Sequence, residues 1–234
     1  MIPTPFDYSR ATSVDDALAK LRAANGEAKL IAGGHSLIPA MKFRLSAPSN
    51  LIDIGRIPEL SGIRAKADAI EIGAGTVHHE VASSALLKKE CPMLAEAAAT
   101  IGDPQVRNRG TLGGSLAHAD PAADYPAAML ALDADINVKG PKGARVIKAG
   151  DFFRGLFAVD LASDEIIVSV RFAPVKSGSV TVEHRLRSPG CTTSAQPLPS
   201  SRSVVRPVNS SQTLSVVDCQ TRTGSASAIA RYLS

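Results

Sequence analysis

The chain has 234 residues, of which 44% are hydrophobic and 4% aromatic, and it contains no tryptophan. This length is sufficient for a sizeable buried core, which Ala, Val, Ile and Leu must supply. The formal net charge of +4 does not indicate a nucleic-acid partner: residues 1–184 carry 20 basic and 21 acidic side chains, whereas residues 185–234 carry six arginines, no lysine and one acid. The positive excess is therefore not a property of a folded basic face.

The absence of targeting signals and the spacing of the cysteines narrow the class of protein further. No apolar run approaches the roughly 18 residues that cross a bilayer, and the first residues lack the basic and apolar regions of a secretory signal. The three cysteines, Cys91, Cys191 and Cys219, form no metal-spaced pair, and their odd number argues against a disulfide framework. We therefore expect a protein of the reducing cytoplasm without an integral membrane segment.

The first part of the chain, residues 1–55, predicts a small β-α-β unit. Ser13 precedes four apolar residues at helical spacing, so we expect it to cap a helix. Strands are expected over 29–32 and 51–54, with a short helix near 37–43 between them. The apolar residues of the first helix are Val14, Ala17, Leu18 and Leu21.

The second part, residues 56–175, mixes strands and helices without regular alternation, which predicts an α+β fold. Alternating hydrophobicity predicts a strand over 69–75. Thr76 is placed to cap a helix that runs to Leu87, and Pro92 suits the first position of another helix. The remaining expected elements are a helix over 125–132, strands over 135–138 and 165–172, and a turn at 140–143.

Two double-glycine turns are the most informative motifs. The first turn, residues 32–36, reads Ala-Gly-Gly-His-Ser, and the second turn, residues 111–115, reads Thr-Leu-Gly-Gly-Ser. Paired glycines let backbone N–H groups approach a ligand closely, and clusters of such groups bind anions, above all beside a helix start. Two such clusters in one chain predict a site for the diphosphate of a dinucleotide.

A family resemblance rests on three segments that occur in this order: Ile-Ala-Gly-Gly-His-Ser-Leu-Ile-Pro-Ala-Met-Lys (31–42), Leu-Ile-Asp-Ile (51–54) and Thr-Leu-Gly-Gly-Ser-Leu-Ala-His-Ala-Asp-Pro-Ala-Ala-Asp (111–124). Together they resemble the FAD-binding medium subunit of molybdenum hydroxylases, of the aerobic carbon monoxide dehydrogenase and xanthine dehydrogenase type. The resemblance implies FAD as the cofactor. It also implies a two-part FAD-binding α+β fold, with a small β-α-β subdomain over 1–55 and a larger α+β subdomain over 56–175.

The resemblance also implies a role and partners. Electrons would pass from a molybdopterin-containing large subunit, through a small subunit with two iron–sulfur clusters, to this FAD and on to an external acceptor. The chain has no cysteine pattern for clusters, so we expect it to need those partners, in a dimer of heterotrimers. No catalytic side chain is expected, because the flavin carries the redox chemistry. No metal site is expected either, since His118, Asp120 and Asp124 share a loop that sets no tetrahedral ligand geometry.

The candidate cofactor residues lie in the two turns and at three further positions. The paired glycines are expected to present N–H groups to the diphosphate, and the hydroxyls of the turns to donate to its oxygens. Ordinary tight turns and helix caps are the alternative. Asp124 is expected to accept from ribose hydroxyls unless it caps a helix, and by resemblance Ile101 and Ile167 abut the flavin. The candidates in the two turns, or directly beside the first one, are Ile31, Ala32, Gly33, Gly34, His35, Ser36, Leu37, Thr111, Gly113, Gly114 and Ser115.

Four residues in or near the candidate cofactor site have roles that the sequence does not settle. His35 follows a double glycine, as does the histidine that bonds covalently to flavin in oxidases of the vanillyl-alcohol-oxidase type; the residues after it favour a noncovalent site. His78 is expected at a solvated helix end. Arg107 and Arg109 flank the second turn, where they would offset phosphate charge, bind an acidic partner surface, or face solvent.

Residues 176–234 form an atypical Ser- and Arg-rich tail. Within it, residues 185–234 contain 11 Ser and 5 Thr, one aromatic residue and no sustained hydrophobic period, which is typical of disorder. The family resemblance implies a third, α+β domain at this point, so we hypothesise that the reading frame shifts near residues 178–184. A divergent Ser-rich tail is the alternative. The alternative functions are a stand-alone flavin oxidase of the vanillyl-alcohol-oxidase type and a truncated, non-enzymatic product that binds FAD weakly.

Overall fold

The computed structural model describes residues 2–175. Their mixture of helices and strands confirms the predicted α+β fold. The strands separate into a three-stranded sheet, a five-stranded sheet and a two-stranded hairpin, whereas the subdomain boundary at residue 55 stays a prediction. The expectations for the tail, 176–234, lie outside the described residues. Within 2–175, no helix is long and apolar enough to cross a membrane.

A three-stranded parallel sheet opens the fold. It contains β1 (Asp7–Arg10), β2 (Ala28–Ile31) and β3 (Asn50–Asp53), in the order β1-β3-β2. α1 (Val14–Ala23) connects β1 to β2, and α2 (Leu37–Lys42) connects β2 to β3. Because the three strands are parallel, their carboxyl ends lie at one edge, the edge at which ligands bind in open parallel sheets. The first turn leaves β2 at this edge.

The start of α1 follows the sequence prediction closely. The Ser13 side chain accepts a hydrogen bond from the Asp16 N–H at 3.1 Å, and all four predicted apolar residues are buried. β1 was not anticipated, because three of its four residues are exposed and no alternating pattern marks it. A local cap and helical spacing are readable from sequence, whereas an exposed edge strand is defined by its pairing partner.

A five-stranded antiparallel sheet forms most of the remainder, in the order β4-β5-β10-β6-β7. The predicted turn at 140–143 is confirmed: Gly140 pairs with Gly143 and closes a hairpin between β6 and β7. β4 and β7 were not anticipated as strands, and most of their residues are exposed. The strands of this part are β4 (Ile63–Lys66), β5 (Ala69–Gly73), β6 (Asp135–Gly140), β7 (Gly143–Lys148), β8 (Phe153–Gly155), β9 (Ala158–Val159) and β10 (Ile166–Phe172).

Short helices cover the five-stranded sheet. Alternate residues of its central strands, such as Ile70 and Ile72 of β5, point to the helices and share one buried core with Val81, Leu94 and Leu116. Pro92 is the first residue of its helix, as predicted. The helices are α3 (His78–Ser83), α4 (Ala85–Glu90), α5 (Pro92–Thr100), α6 (Pro104–Arg107), α7 (Leu112–His118), α8 (Asp124–Ala131) and α9 (Ala149–Phe152).

The prediction that Thr76 caps a helix running to Leu87 is wrong. Val77 occupies the position before α3, and the Thr76 hydroxyl instead accepts a hydrogen bond from the Gly62 N–H at 3.0 Å. The helix also breaks at Ser84, whose side chain caps α4 by accepting from the Leu87 N–H at 3.3 Å. A threonine before a helical pattern is a good cap on local grounds. Here the Thr76 hydroxyl oxygen is hydrogen-bonded to the backbone of Gly62, which is distant in the chain.

A second, smaller core joins the two sheets. Apolar residues of α1 pack with Ile52 of β3, with Ile57 and Leu60, and with Ile166 of β10. The first helix is therefore anchored to a strand of the five-stranded sheet as well as to its own sheet.

Candidate functional site

A cleft of about 1070 Å³ lies between the two turns. Asp124 is not in its lining: it is the first residue of α8, with Ala123 before it at the cap position, so the alternative that Asp124 caps this helix is wrong. The other thirteen candidate residues all line the cleft: Ile31, Ala32, Gly33, Gly34, His35, Ser36, Leu37, Ile101, Thr111, Gly113, Gly114, Ser115 and Ile167.

The first turn presents a row of unpartnered backbone donors. Within the described part of the chain, none of the five N–H groups from Gly33 to Leu37 donates a hydrogen bond to another protein group. Gly34 adopts φ +76°, a left-handed conformation that glycine tolerates without strain. The Ser36 side chain makes no capping hydrogen bond, so its hydroxyl is also open to the cleft. Successive N–H groups in such a turn form a concave anion site.

The second turn differs from its prediction. The Gly113 N–H donates to the Ala74 carbonyl at 2.7 Å, and the Gly114 N–H donates to the Thr111 side-chain oxygen at 3.2 Å. These two N–H groups are therefore engaged within the protein rather than presented to a diphosphate. Glycine is needed at 113 for a different reason, since a Cβ there would lie 2.5 Å from the Cβ of Ala74. What the second turn offers the cleft is its exposed surface at Gly114 and the Ser115 side chain.

The two turns are held together by direct backbone packing. A Cβ added to Gly33 would lie 2.1 Å from the Arg109 carbonyl oxygen and 2.8 Å from the Gly110 Cα. The segment before the second turn is itself paired with the chain after β5, through an isolated bridge between Val77 and Thr111. The spacing of the two turns thus depends on the absence of a side chain at residue 33.

Apolar side chains form a further part of the cleft lining. Ile167 of β10 is buried, Ile101 at the end of α5 is half-buried, and both line the cleft. The Arg107 guanidinium donates to the carbonyl oxygens of Ile101 at 3.1 Å and Gly102 at 2.9 Å. Arg107 therefore braces the loop that carries Ile101, and of the alternatives left open for it, a loop facing only solvent is wrong.

His78 is a site residue that sequence reasoning missed. It is only 5% exposed and lines the cleft, so the expectation of a solvated helix end is wrong. Burial, and to a smaller extent the charge of His35, lower the pKa of His78 to about 4, which keeps its ring neutral at physiological pH. Its ring meets the edge of Tyr125 with centroids 5.2 Å apart. His78 begins α3 only five residues after the buried strand β5, and this closeness to a buried element is the one sequence signal that it lies inside.

The end of α7 and the loop after it hold their polar side chains against the protein. His118 is the last residue of α7 and Asp124 the first of α8, so of the three residues expected to share a loop only Asp120 lies between the helices. The His118 ring packs on Phe157 with centroids 5.2 Å apart, and the Asp120 carboxylate accepts from the Ala122 N–H at 2.9 Å. Both residues line the cleft. Within residues 2–175 no group of three potential ligands is arranged for a metal ion.

Comparison with known proteins assigns this site to a family. A family model described as the FAD binding domain in molybdopterin dehydrogenase matches residues 4–174. The chain is 44% identical over 187 residues to the carbon monoxide dehydrogenase medium chain of Hydrogenophaga pseudoflava, covering 80% of this chain and 65% of that protein. It is 45% identical over 179 residues to the 6-hydroxypseudooxynicotine dehydrogenase complex subunit alpha of Paenarthrobacter nicotinovorans, covering 76% and 60%.

A solved structure agrees with the sequence matches. The structure of carbon monoxide dehydrogenase from Hydrogenophaga pseudoflava that lacks the Mo-pyranopterin moiety of the molybdenum cofactor aligns with a TM-score of 0.74 and 47% identity, covering 76% of this chain and 62% of that one. The chain therefore belongs to the family of FAD binding domains in molybdopterin dehydrogenases, and its cofactor is FAD. Both the family resemblance and the cofactor prediction are confirmed. The chain spans 60% to 65% of the length of these two curated relatives.

Proposed function

We propose that this chain is the electron-transfer subunit of a molybdenum hydroxylase complex, in which its FAD receives electrons from iron–sulfur clusters and passes them to an external acceptor. The names of its relatives, a dehydrogenase medium chain and a subunit of a dehydrogenase complex, support this role. The proposed partners are a molybdopterin-containing large subunit and a small subunit with two iron–sulfur clusters, in a cytoplasmic dimer of heterotrimers.

The observation that carries the proposal is the row of five unpartnered N–H groups in the first turn. A diphosphate has enough oxygens to accept from several of these groups at once, and hydrogen bonds to a charged acceptor are the stronger kind. The Ser36 and Ser115 hydroxyls line the same cleft and are placed to donate as well. The first turn therefore fits the central part of FAD.

The apolar side chains of the cleft lining fit the ring of the cofactor. Ile101 and Ile167 offer aliphatic side chains to a flat ring, and their contact removes water from it. Asp124 lies outside the lining, so its proposed bond to a ribose hydroxyl requires the cofactor to extend past the second turn. The contacts of Ile101, Ile167 and Asp124 with FAD are proposed from the family resemblance, and the presence of both isoleucines in the cleft lining supports the first two.

The chain contributes binding and orientation, and bound FAD supplies the capacity to store and release electrons. The first turn fixes the charged centre of the cofactor, and the isoleucines fix its ring. The neutral ring of His78 adds no positive charge beside the diphosphate at physiological pH, since its pKa is about 4.

The first test is the visible spectrum of the full chain after FAD is added and the excess removed. We expect retained flavin that is released completely on denaturation. Riboflavin, which has the same ring and no diphosphate, is the matched control and is not expected to be retained. No retained FAD would contradict the proposal in favour of a truncated product, and flavin that stays attached after denaturation would indicate a vanillyl-alcohol-oxidase type of site.

The partner proposal needs its own experiment. A complex isolated from the source cells through a tag on this chain is expected to contain molybdenum and iron, measured by elemental analysis, together with two further polypeptides. The same tag on an unrelated protein provides the background level of both metals. Recovery of the chain without molybdenum or iron would contradict the proposed assembly.

A further inference from the structure

A second, smaller pocket of about 270 Å³ lies beside the cleft, at the carboxyl edge of the three-stranded sheet. We call it the side pocket. It shares Ala32, Gly75 and Thr111 with the cleft, but His35 and Ser36 line only the cleft. Its remaining lining residues are Tyr8, Arg10, Asp53, Gly55, Arg56, Val77, Asn108 and Arg109.

The one carboxylate of the side pocket, that of Asp53, is already hydrogen-bonded to groups of the protein. Asp53 accepts hydrogen bonds from the Tyr8 hydroxyl and, at 2.8 Å, from the Gly55 N–H, and its Oδ2 lies 3.5 Å from the Arg10 Nε. The Tyr8, Gly55 and Arg10 donors act together to hold the pKa of Asp53 below its usual value despite partial burial. The carboxylate is thus compensated, and Arg10 is held at the pocket wall.

Two further guanidinium groups face no acid. Within the described residues, neither Arg56 nor Arg109 has an ion-pair or hydrogen-bond partner for its side chain. The side pocket therefore contains three arginines against one compensated aspartate. Paired guanidinium groups match the oxygens of a phosphate bidentately and remain charged at any physiological pH.

The three arginines are exposed, but their arrangement differs from a scattered basic surface in two respects. The arginines come from three separate segments, after β3, before α7 and in β1, and converge on one recess. Arg109 is also fixed at its backbone, because its carbonyl oxygen packs against Gly33 of the first turn. Convergent charge in a recess at the carboxyl edge of a parallel sheet is typical of a binding site for an anionic ligand.

We propose that the side pocket binds the phosphate group of a small molecule other than FAD, with Arg56 and Arg109 as its ligands and Arg10 completing the positive wall. A ligand in this pocket would lie next to the first turn without occupying its N–H groups. The proposal goes beyond the FAD-binding function and does not rest on it, since phosphate binding is measurable on the chain without FAD.

The test is a titration of the full chain with inorganic phosphate at constant ionic strength, in which binding is measured by isothermal titration calorimetry. We expect saturable binding, and we expect Arg56→Ala and Arg109→Ala each to raise the Kd by about tenfold, the factor that corresponds to one lost charge-assisted contact. Arg22→Ala removes an exposed arginine of α1 outside both pockets and serves as the matched control. Equal thermal melting of all four chains without ligand shows that folding is unchanged.

A second arm separates the side pocket from the first turn. FAD-loaded chain is titrated with phosphate, and the Kd for FAD is measured with and without saturating phosphate. Binding of phosphate to the loaded chain, with the Kd for FAD unchanged within twofold, supports a separate site. Displacement of FAD by phosphate, an increase in the Kd for FAD in Arg56→Ala, or phosphate binding that neither arginine variant weakens would each overturn the proposal.

Discussion

The first and second turns have nearly the same sequence motif and opposite backbone arrangements. In the first turn, the N–H groups from Gly33 to Leu37 have no partner within residues 2–175. In the second turn, the N–H groups of Gly113 and Gly114 are bound to Ala74 and Thr111. A double glycine therefore has two physical uses in one chain: open donors for a ligand, and close packing of backbone on backbone.

The difference follows from what each turn packs against. The first turn follows β2 at the carboxyl edge of a parallel sheet and lines the cleft. Its Gly33 packs on the Arg109 carbonyl, but its N–H groups meet no protein acceptor among the described residues. The second turn begins a helix that lies on the chain after β5, and every side chain larger than hydrogen at 113 would collide there. The motif predicts that a turn exists, and the neighbouring element decides whether its N–H groups remain available.

Gly33→Ala is expected to have the largest effect on cofactor binding. The added Cβ would lie 2.1 Å from the Arg109 oxygen, so the two turns must separate. Relief of such overpacking costs about 1–3 kcal/mol, and we expect the Kd for FAD to rise by about tenfold to a hundredfold, measured by flavin fluorescence. Gly150→Ala, at an exposed glycine with open space around it, is the control and should bind FAD normally. Normal binding by Gly33→Ala would show that the spacing of the turns is irrelevant.

Gly113→Ala is expected to act on stability instead. Its Cβ would lie 2.5 Å from the Cβ of Ala74 and 2.9 Å from the Ala74 oxygen, both held by the sheet. We expect the free energy of unfolding of the FAD-free chain to fall by about 1–3 kcal/mol, measured by urea denaturation. If instead this variant unfolds like the parent chain and only loses FAD, the second turn is a ligand-binding turn and the comparison fails.

The serine hydroxyls of the two turns provide a smaller and more direct comparison. Ser36→Ala and Ser115→Ala each remove one donor, and we expect each to raise the Kd for FAD by about two- to tenfold, the effect of a hydrogen bond worth about 0.5–1.5 kcal/mol. Ser83→Ala, outside the cleft lining, is the control. A raised Kd for FAD in Ser36→Ala, together with an unchanged Kd in Ser115→Ala, would show that only the first turn binds the diphosphate.

The pH dependence of stability provides a further comparison, which tests the burial of His78 beside the second turn. The backbone N–H of His78 donates to the Gly110 carbonyl at 3.0 Å, and burial lowers the pKa of the His78 ring from 6.5 to about 4. Between these values the unfolded chain binds the extra proton, so the free energy of unfolding falls as the pH is lowered. His78→Gln is expected to lose less stability than the parent between pH 7 and pH 5, measured by urea denaturation without FAD. Parallel pH profiles would show that His78 is not buried as a neutral ring.

Much of the fold and the outline of the site could be read from the chain. Ser13 capping, the apolar face of α1, the start of α5 at Pro92 and the hairpin turn at 140–143 all depend on neighbours within a few residues. The exposed strands β1, β4 and β7 could not be read in this way. Their residues carry no hydrophobic period, because they are defined by the strand beside them rather than by burial.

The amino-acid order was enough to locate both glycine turns, to name the family and to assign FAD, since these depend on short motifs in a fixed sequence. It could not show that the donors of Gly113 are engaged while those of the first turn are open, nor that His78 is buried and Arg107 braces a loop. The engagement of Gly113 and the burial of His78 depend on residues far away in the chain, and the bracing by Arg107 depends on how its own loop folds back onto Ile101 and Gly102. Hydrogen bonding and burial are properties of the packed neighbours, which come together only when the chain is folded.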